Sequence, residues 1–310
     1  MKNQKIIVSS IIDQQRIDNF LIKKFKTVPK SLIYRLLRIG KIKINNKKVF
    51  PNFKIKYKDI IILPYIYKKN IKKIKNKLNI KKTEFLKKII LFEDKYILAI
   101  NKPSGIAVHG GSGINNGIIE NYRFLFKKNF FLELIHRIDK ETSGVLLMAK
   151  KRSVLKILQK QLREKKMKKE YIALVKGNCL NKKYIYIKNF LLKNFLNKKI
   201  KVKIDKKGKL SETKFKVIKN YKNFMLTKIK PITGRTHQIR VHMSYLNYPI
   251  INDERYGNNN INLKFKKKFH INRLFLHAKK IKFIHPISNK KIIICAPLDQ
   301  KLNNCLLKLK

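Results

Sequence analysis

Cysteine is scarce in this sequence, and its spacing indicates no cross-link. The chain contains three cysteines, Cys179, Cys295 and Cys305, and no C-x-x-C pair. An odd number of cysteines without that spacing argues against a disulfide framework and against a thiolate zinc site. A reducing, cytosolic compartment fits this usage.

Long apolar runs are also missing. The opening residues, MKNQKIIVSSIIDQQRID, contain only a short apolar stretch, which Asp13 interrupts. No later run reaches the roughly 18 uncharged apolar residues that a membrane span requires. We therefore expect a soluble, cytoplasmic protein with no signal peptide and no membrane partner.

Acidic residues are few, with 17 Asp and Glu against 77 Lys and Arg and a formal net charge of +60. Such a charge attracts polyanions and makes nucleic acid the first partner to consider. The 44% hydrophobic content is too high for a disordered basic tail, and 310 residues are enough for two folded units. The charge overstates the binding surface, however, because lysine crowds every segment of the chain.

Arginine is the rarer cation, since only eleven of the 77 basic residues are Arg. In a chain this rich in lysine, a retained arginine indicates a position that needs a planar guanidinium with five donors. The alternative is that these sites have simply not drifted to lysine. Arg16, Arg35 and Arg38 fall near the N-terminus, whereas Arg137 and Arg240 fall in blocks that also hold the scarce His, Gly and Asp residues.

Patterning predicts four segments: a tail at 1–15, a small basic α/β module at 16–66, a lysine-rich linker at 67–88 and a larger domain at 89–310. In the module, QRIDNFLIKKF and SLIYRLLRIG predict helices, and KIKINNKKVF and IKYKDIIIL predict strands around an Asn-Asn turn. We expect Ser31 to cap the second helix. Ten of the 21 residues from Lys68 to Lys88 are lysine, which predicts an extended, solvated linker.

The larger domain mixes neighbouring strands with occasional helices, which predicts an α+β fold. KKEYIALVKG predicts a strand with Tyr171, Ala173 and Val175 on one face, and PITGRTHQIRVHMSYL predicts a helix starting near Thr236. The loop NKPSGIAVHGGSG matches neither a P-loop nor a dinucleotide-binding motif, so we predict a flexible loop there.

The sharpest local signal is HRIDKETSG, because Asp139 lies among apolar residues where an unpaired carboxylate is costly to bury. Either another group holds this charge, or the aspartate caps the backbone of the following Thr-Ser-Gly turn. A glycosidase pair needs a second carboxylate across a substrate, and spacing alone does not show one. His237 and His242 are five residues apart, a poor match to a zinc pair on one helical face. We expect neither a metal nor a cofactor.

These motifs together resemble the ribosomal large-subunit pseudouridine synthases of the RluA type. HRIDKETSG, KKEYIALV, GRTHQIRVH and a terminal HP…APL match the catalytic domain of that family. QRIDNFL, IYRLLRIGKIKIN and KDIIIL resemble an S4 RNA-binding domain. The resemblance implies a mixed, mainly antiparallel sheet and a monomer that isomerises uridines to pseudouridine in 23S ribosomal RNA without a cofactor.

Carried over residue by residue, the resemblance implies that Asp139 is the catalytic aspartate and Tyr171 the active-site tyrosine. It implies that Arg240 pairs with Asp139, holding the carboxylate with its planar fork. Arg137 matches the position that fills the gap left by a flipped base. It leaves open whether Asp139 attacks C1′ or removes the 2′ proton.

The S4-like module implies further RNA contacts, from Arg16, Lys30, Arg35 and Arg38. Two other classes of function stay open at this point. A non-catalytic RNA-binding protein explains the charge and the module, but not an apolar block built around Asp139. An RNA glycosidase also uses a carboxylate, and it releases free uracil.

Overall fold

The computed structural model describes residues 3–25, 28–64, 80–110, 117–126, 131–179, 184–196 and 199–309. Residues 67–79 of the predicted linker and 111–116 of the predicted glycine-rich loop lie outside this set. The chain divides into an N-terminal unit, residues 1–77, and a C-terminal unit, residues 78–310. No helix among the described residues is long and apolar enough to cross a membrane.

The N-terminal unit packs two helices against a four-stranded sheet of order β1-β4-β2-β3. Its elements are β1 (Asn3–Ile7), α1 (Ile17–Lys24), α2 (Lys30–Arg38), β2 (Lys43–Ile44), β3 (Lys47–Lys48) and β4 (Ile60–Pro64). Asn45 and Asn46 both have positive φ between β2 and β3, as the predicted Asn-Asn turn requires. Ile33 and Leu37 of α2 are fully buried in the core of this unit.

Three expectations about chain organisation need correction. The predicted tail contains β1. This strand pairs antiparallel with β4, with Ile6 opposite Ile61. Ser31 does not cap α2, since that helix begins at Lys30 with Pro29 in the capping position. The last part of the predicted linker is also not extended.

That last part, Ile80–Lys88, forms helix α3. A single apolar residue anchors this lysine-rich helix, because Leu86 is buried in the main core of the C-terminal unit. The Tyr122 hydroxyl donates a 2.6 Å hydrogen bond to the Leu86 carbonyl. Lysine content therefore predicted solvation correctly along one side of this segment and missed the buried leucine on the other.

The rest of the C-terminal unit is a large sheet with helices on both faces. Its first elements are β5 (Ile90–Glu93), β6 (Ile97–Lys102), α4 (Ile118–Leu125), β7 (Glu133–Leu134), β8 (Ser143–Ala149), α5 (Arg152–Arg163), β9 (Lys168–Lys176) and β10 (Ile185–Leu196). There follow β11 (Lys199–Ile204), β12 (Lys209–Asn220), β13 (Phe224–Pro231), α6 (Gln238–Tyr245), α7 (Asn259–Phe269), β14 (Leu276–Ile284), β15 (Lys291–Cys295) and α8 (Gln300–Lys308).

The described strands of this unit form an eleven-stranded sheet whose main order is β11-β10-β12-β13-β9-β14-β8-β6-β5. β14 runs parallel to β8, and the other pairings among the described residues are antiparallel. The predicted mixed, mainly antiparallel sheet is confirmed. Strand alternation gives the sheet an inner face and an outer face.

The inner face carries the predicted stripe of Tyr171, Ala173 and Val175, and all three lie in the largest core cluster. The outer face is apolar at one end, where Leu174 and Phe224 pack in a separate cluster with residues of α7 and α8. Tyr171 therefore belongs to the inner face.

The parallel contact between β8 and β14 depends on Gly144. This residue lies opposite Ala278 and has φ +108°, a conformation that side chains rarely tolerate. A Cβ at this position would lie 2.3 Å from the Ala278 carbonyl oxygen. The two strands can approach this closely only because residue 144 has no side chain.

Candidate active site

Asp139 lies in the loop between β7 and β8, at the edge of the inner face. The carbonyl of Asp139 accepts a 3.2 Å hydrogen bond from the Thr142 amide, so the turn is closed by the backbone. The carboxylate is 27% exposed and accepts a 3.2 Å hydrogen bond from Nη1 of Arg240. The side chain thus has a partner of opposite charge, as the apolar setting demanded.

Arg240 lies on α6 and its side chain is buried. Its other two donors are turned towards Asp253, with Nε 2.7 Å from Oδ2 and Nη2 2.8 Å from Oδ1. The bidentate fork therefore holds Asp253, and Asp139 receives a single bond; the expected forked pair with Asp139 is corrected. Burial lowers the pKa of Arg240, but the hydrogen bonds and charges of Asp253 and Asp139 raise it further, and the net direction is upward.

Asp253 is fully buried, and the sequence reasoning missed it. Besides the Arg240 fork, its Oδ1 accepts from the backbone amides of Arg255 at 2.9 Å and Tyr256 at 3.1 Å. Burial raises the pKa of Asp253, but the Arg240 bond and these amides lower it below its usual range. Asp253 is therefore the permanent counter-charge that fixes the orientation of Arg240.

His237 stands immediately before α6 with φ +52°. Its Nδ1 is 2.7 Å from the Tyr256 hydroxyl, and its Nε2 is 3.9 Å from Oδ2 of Asp139. Burial lowers the pKa of His237, against the opposing effect of Asp139. The neutral imidazole borders the carboxylate, so His237 belongs to this site rather than to a zinc pair with His242.

Tyr171 reaches the same cavity from β9, which is the face that the alternation predicted. It is buried, and burial together with the nearby charge of Asp139 raises its pKa above the ordinary value. The phenol is protonated at neutral pH. It offers an aromatic face and a hydroxyl rather than a phenolate base.

The cavity itself is small, about 80 Å³, and is lined by Asp139, Tyr171, His237 and Arg240 over apolar residues such as Leu276. It opens beside a larger groove of about 800 Å³. That groove is bordered by basic side chains, namely Arg137, Arg163, Lys165, Lys169, Lys193 and Arg235. A small acidic-and-aromatic cavity beside a basic groove suits a polyanion that inserts one planar group.

Arg137 lies exposed at the rim of the cavity, two residues before Asp139. Its Nη1 is 3.4 Å from Nε2 of His109. Because Nδ1 of His109 lies 2.7 Å from the Gly110 carbonyl, Nδ1 carries the proton and Nε2 is free to accept from Arg137. The rim arginine therefore has a defined resting position.

The loop after β6 is tied to the Asp139 loop, contrary to the expectation of flexibility for residues 102–110. The buried ammonium of Lys102 donates to the carbonyls of Pro103 at 2.7 Å, Ile106 at 2.8 Å and Lys140 at 3.0 Å. Burial lowers the pKa of Lys102 to about 7. The Gly105 amide adds a 2.9 Å bond to the same Lys140 carbonyl.

Comparison with known proteins decides the family. A sequence profile described as RNA pseudouridylate synthase matches residues 96–245. Ribosomal large subunit pseudouridine synthase C of Buchnera aphidicola subsp. Acyrthosiphon pisum is 51% identical over 304 residues, covering 97% of this chain and 96% of that protein. The chain belongs to the RNA pseudouridylate synthase family. The protein of the same name from Escherichia coli strain K12 is 45% identical, covering 96% of this chain and 93% of its own length.

Solved structures agree with this membership of the RNA pseudouridylate synthase family. Human RNA pseudouridylate synthase domain containing 4 superposes with a TM-score of 0.60 at 25% identity, over 73% of this chain and 95% of that one. Human RNA pseudouridylate synthase domain containing 1 gives a TM-score of 0.58 at 23% identity, over 70% of this chain and 86% of that one. Because the identity of the second structure is only 23%, that likeness supports a shared fold and nothing more.

Of the candidates from this pseudouridylate synthase sequence, the structure brings Asp139, Tyr171 and Arg240 to one cavity and Arg137 to its rim. The four other candidates lie in the N-terminal unit: Arg16 immediately precedes α1, and Lys30, Arg35 and Arg38 lie on α2. Among the residues that the structure describes, no cluster of three or more His, Cys, Asp and Glu side chains is arranged for a metal ion.

The arginine at position 16 differs from the other three, because it forms an ion pair within its own unit. Its Nη2 lies 2.7 Å and its Nε 3.1 Å from the carboxylate oxygens of Asp18. Asp18 is buried and also accepts from the Tyr34 hydroxyl at 3.2 Å. Lys30, Arg35 and Arg38 are instead exposed to solvent on α2.

Proposed function

We propose that this chain isomerises uridines to pseudouridine in large-subunit ribosomal RNA, with Asp139 as the catalytic carboxylate. The observation that carries the proposal is the geometry around Asp139. A partly exposed carboxylate, a buried tyrosine and a buried arginine meet in a cavity that adjoins a basic groove. Relatives of this chain that are 45% to 51% identical carry the name ribosomal large subunit pseudouridine synthase C.

The reaction breaks the bond between uracil N1 and ribose C1′, turns the base, and joins C5 to C1′. The proton lost from C5 is balanced by one gained at N1, so the product is an isomer and no co-reactant is consumed. Asp139 acts in its ionised form, either attacking C1′ or removing the 2′ proton. The bond from Arg240 orients the carboxylate for this step.

Tyr171 supplies the flat wall of the pocket in this mechanism. Its raised pKa keeps the phenol protonated, so it stacks on the uracil ring and leaves proton removal from C5 to another base or to water. His237 is neutral, and its Nε2 lies 3.9 Å from Oδ2 of Asp139, the same oxygen that accepts the bond from Arg240.

A uridine inside folded RNA has to leave its stack to enter this cavity, at a cost of a few kcal/mol. The cavity beside Asp139, with Tyr171 as one wall, is the place proposed for the flipped base. Arg137 at the rim takes the place that the base vacates. The basic groove beside it, with Arg163 and Arg235, holds the neighbouring phosphates.

The N-terminal unit, residues 1–77, acts in this proposal as an S4-type RNA-binding domain, and residues 78–310 form the catalytic domain. The exposed row of Lys30, Arg35 and Arg38 on α2 supports phosphate binding. Because Arg16 is already paired with Asp18, we assign it mainly to the structure of the module. The chain acts as a monomer on 23S ribosomal RNA in the cytoplasm.

The test is conversion of 23S ribosomal RNA transcribed in vitro, followed by pseudouridine mapping. We expect wild type to form pseudouridine at defined uridines and Asp139→Asn to form none that is detectable, because a neutral amide is neither nucleophile nor base. RNA binding by the variant should stay within about tenfold of wild type. EDTA should leave the wild-type rate unchanged.

Other outcomes identify the competing functions. Release of free uracil would indicate an RNA glycosidase. Tight binding without any change in the RNA would indicate a non-catalytic RNA-binding protein. Pseudouridine formed at the normal rate by Asp139→Asn would remove this carboxylate from the mechanism.

A further inference from the structure

The outer face of the large sheet changes character along its strands. On β13 the outward residues are Phe224 and Leu226 at one end and Lys228 and Lys230 at the other. The apolar end is covered, because both Phe224 and Leu226 pack in the cluster formed with α7 and α8. The other end carries lysines and stays accessible to solvent.

These lysines face one another across neighbouring strands. Lys214 of β12 lies directly opposite Lys230 of β13, and Lys216 lies opposite Lys228. Like charges in directly opposed positions destabilise a sheet. Glu170 lies 3.6 Å from Lys228 and compensates one of the four charges. A polyanion bound on this face relieves the remaining repulsion.

Two exposed aromatic rings are interleaved with the same lysines. The ammonium of Lys214 lies 5.6 Å from the ring centre of Tyr186, and those of Lys216 and Lys230 lie 5.4 Å and 4.6 Å from that of Tyr184. The rings are 41% exposed for Tyr184 and 47% for Tyr186. Ammonium groups next to partly exposed aromatic rings are the combination that holds single-stranded nucleic acid, through phosphates and stacked bases.

This face is continuous with the basic groove next to Asp139. A cavity of about 400 Å³ on the outer face is lined by Lys214 and Lys230 together with Lys165 and Lys169. The same Lys165 and Lys169 line the groove beside the active site. A backbone that leaves the groove past these two lysines reaches a cavity lined by seven lysines and one acidic residue, Glu170. Lys165 is also paired with Glu212, at 2.9 Å.

We propose that the outer face formed by Lys214, Lys216, Lys228, Lys230, Tyr184 and Tyr186 is a second RNA-binding surface, which holds a single-stranded segment flanking the target uridine. The inference rests on the proposed function, because it takes RNA as the substrate of the neighbouring cavity. It goes further by assigning a route for the RNA outside the cavity and outside the N-terminal unit.

The test compares two triple variants of the full-length chain. One is Lys214→Gln with Lys216→Gln and Lys230→Gln, which leaves the Lys228 ion pair intact. The matched control is Lys267→Gln with Lys290→Gln and Lys301→Gln, three exposed lysines from other elements. The probes are a short hairpin with one target uridine and a longer 23S ribosomal RNA fragment with single-stranded flanks, and circular dichroism checks folding.

We expect the outer-face variant to bind the longer fragment at least about tenfold more weakly, with a salt slope smaller by about 2 for three lost phosphate contacts. Its affinity for the hairpin and its single-turnover rate at saturating RNA should match wild type. The control variant should bind both RNAs within about twofold of wild type.

Equal losses in the two triple variants would overturn the proposal and assign the effect to general charge. Unchanged binding of the longer fragment by the outer-face variant would also overturn it. Failure of the proposed function looks different, because wild type would then form no pseudouridine in either RNA.

Discussion

Each unit of this molecule contains an arginine held by both oxygens of a buried aspartate, and the two pairs differ in what surrounds the arginine. In the N-terminal unit, Arg16 is 49% exposed over Asp18. In the C-terminal unit, the side chain of Arg240 is 6% exposed and binds Asp253, and its Nη1 donates a hydrogen bond to Asp139. The first pair closes a local turn, whereas the second fixes a cation inside a cavity.

The comparison separates two uses of positive charge in one basic chain. Exposed cations such as Arg35 and Arg38 act through a field that salt screens, so we expect them to affect mainly the strength of RNA binding. A buried and fixed cation such as Arg240 acts through geometry, so we expect it to affect mainly the rate at which bound RNA reacts. Variants in the two units should therefore divide into binding defects and rate defects.

The largest expected difference is in acid stability. His136, His242 and His277 of the C-terminal unit are buried, and burial lowers their pKa values to about 3, about 4 and about 4. Residues 1–77 contain no histidine. Below pH 6.5 these three histidines bind protons in the unfolded chain but not in the folded one. The free energy of unfolding therefore falls as the pH falls.

Between pH 7 and pH 5 we expect the three histidines together to lower the free energy of unfolding by about 5 kcal/mol. Urea unfolding of the full chain at the two pH values measures the loss. Two-dimensional NMR assigns it, since signals of the C-terminal unit should vanish first. Simultaneous loss of both units would show that the histidines do not divide the chain in this way.

The second largest difference is expected when each buried aspartate is neutralised. Asp253→Asn leaves the buried charge of Arg240 without its main counter-charge, so we expect the free energy of unfolding to fall by about 3 kcal/mol. Asp18→Asn leaves Arg16 free to turn into water, and we expect about 1 kcal/mol. Urea unfolding at pH 7 measures both. Equal losses would mean that exposure of the arginine does not matter.

Arg240→Lys tests geometry at constant charge. An ammonium cannot hold Asp253 with two parallel bonds and still reach Asp139. We expect the single-turnover rate to fall about 10- to 1,000-fold, or about 1.4 to 4 kcal/mol, with RNA affinity unchanged at one salt concentration. Weaker binding with an unaltered rate would reassign Arg240 to the RNA backbone.

The smallest effect belongs to the exposed arginines. Arg35→Gln combined with Arg38→Gln should weaken RNA binding several-fold and reduce the salt slope by about 1.4 to 1.8. The rate at saturating RNA should not change. Lys47→Gln with Lys48→Gln on β3 removes the same charge from the same unit, and an identical effect there would show that position on α2 is unimportant.

Sequence patterns predicted the parts of the fold that depend on neighbouring residues. Alternation placed Tyr171 on the inner face, and the apolar block around Asp139 correctly indicated a charge that needs a partner. Arg240 was identified through the family resemblance. Its roles in catalysis and those of Asp139 and Tyr171 stay predictions.

The missed features depend on contacts between distant residues. Asp253 follows Arg240 by thirteen residues, and only the folded loop turns its carboxylate back onto α6. Strand β1 needs β4 as a partner across more than fifty residues, so as an isolated segment it looked like a tail. Helix α3 needs the core to bury Leu86, and a count of lysines contains no information about that core.

Gly144 shows how a position that binds nothing can limit inherited variation. Lysine, isoleucine and asparagine are abundant throughout this chain. At residue 144 any of these would place a Cβ 2.3 Å from the Ala278 carbonyl oxygen and force β14 away from β8. Strand β8 begins four residues after Asp139, so the displacement would reach the carboxylate loop. The packing of these two strands therefore depends on a glycine that binds nothing and contributes an unoccupied space and a φ of +108°.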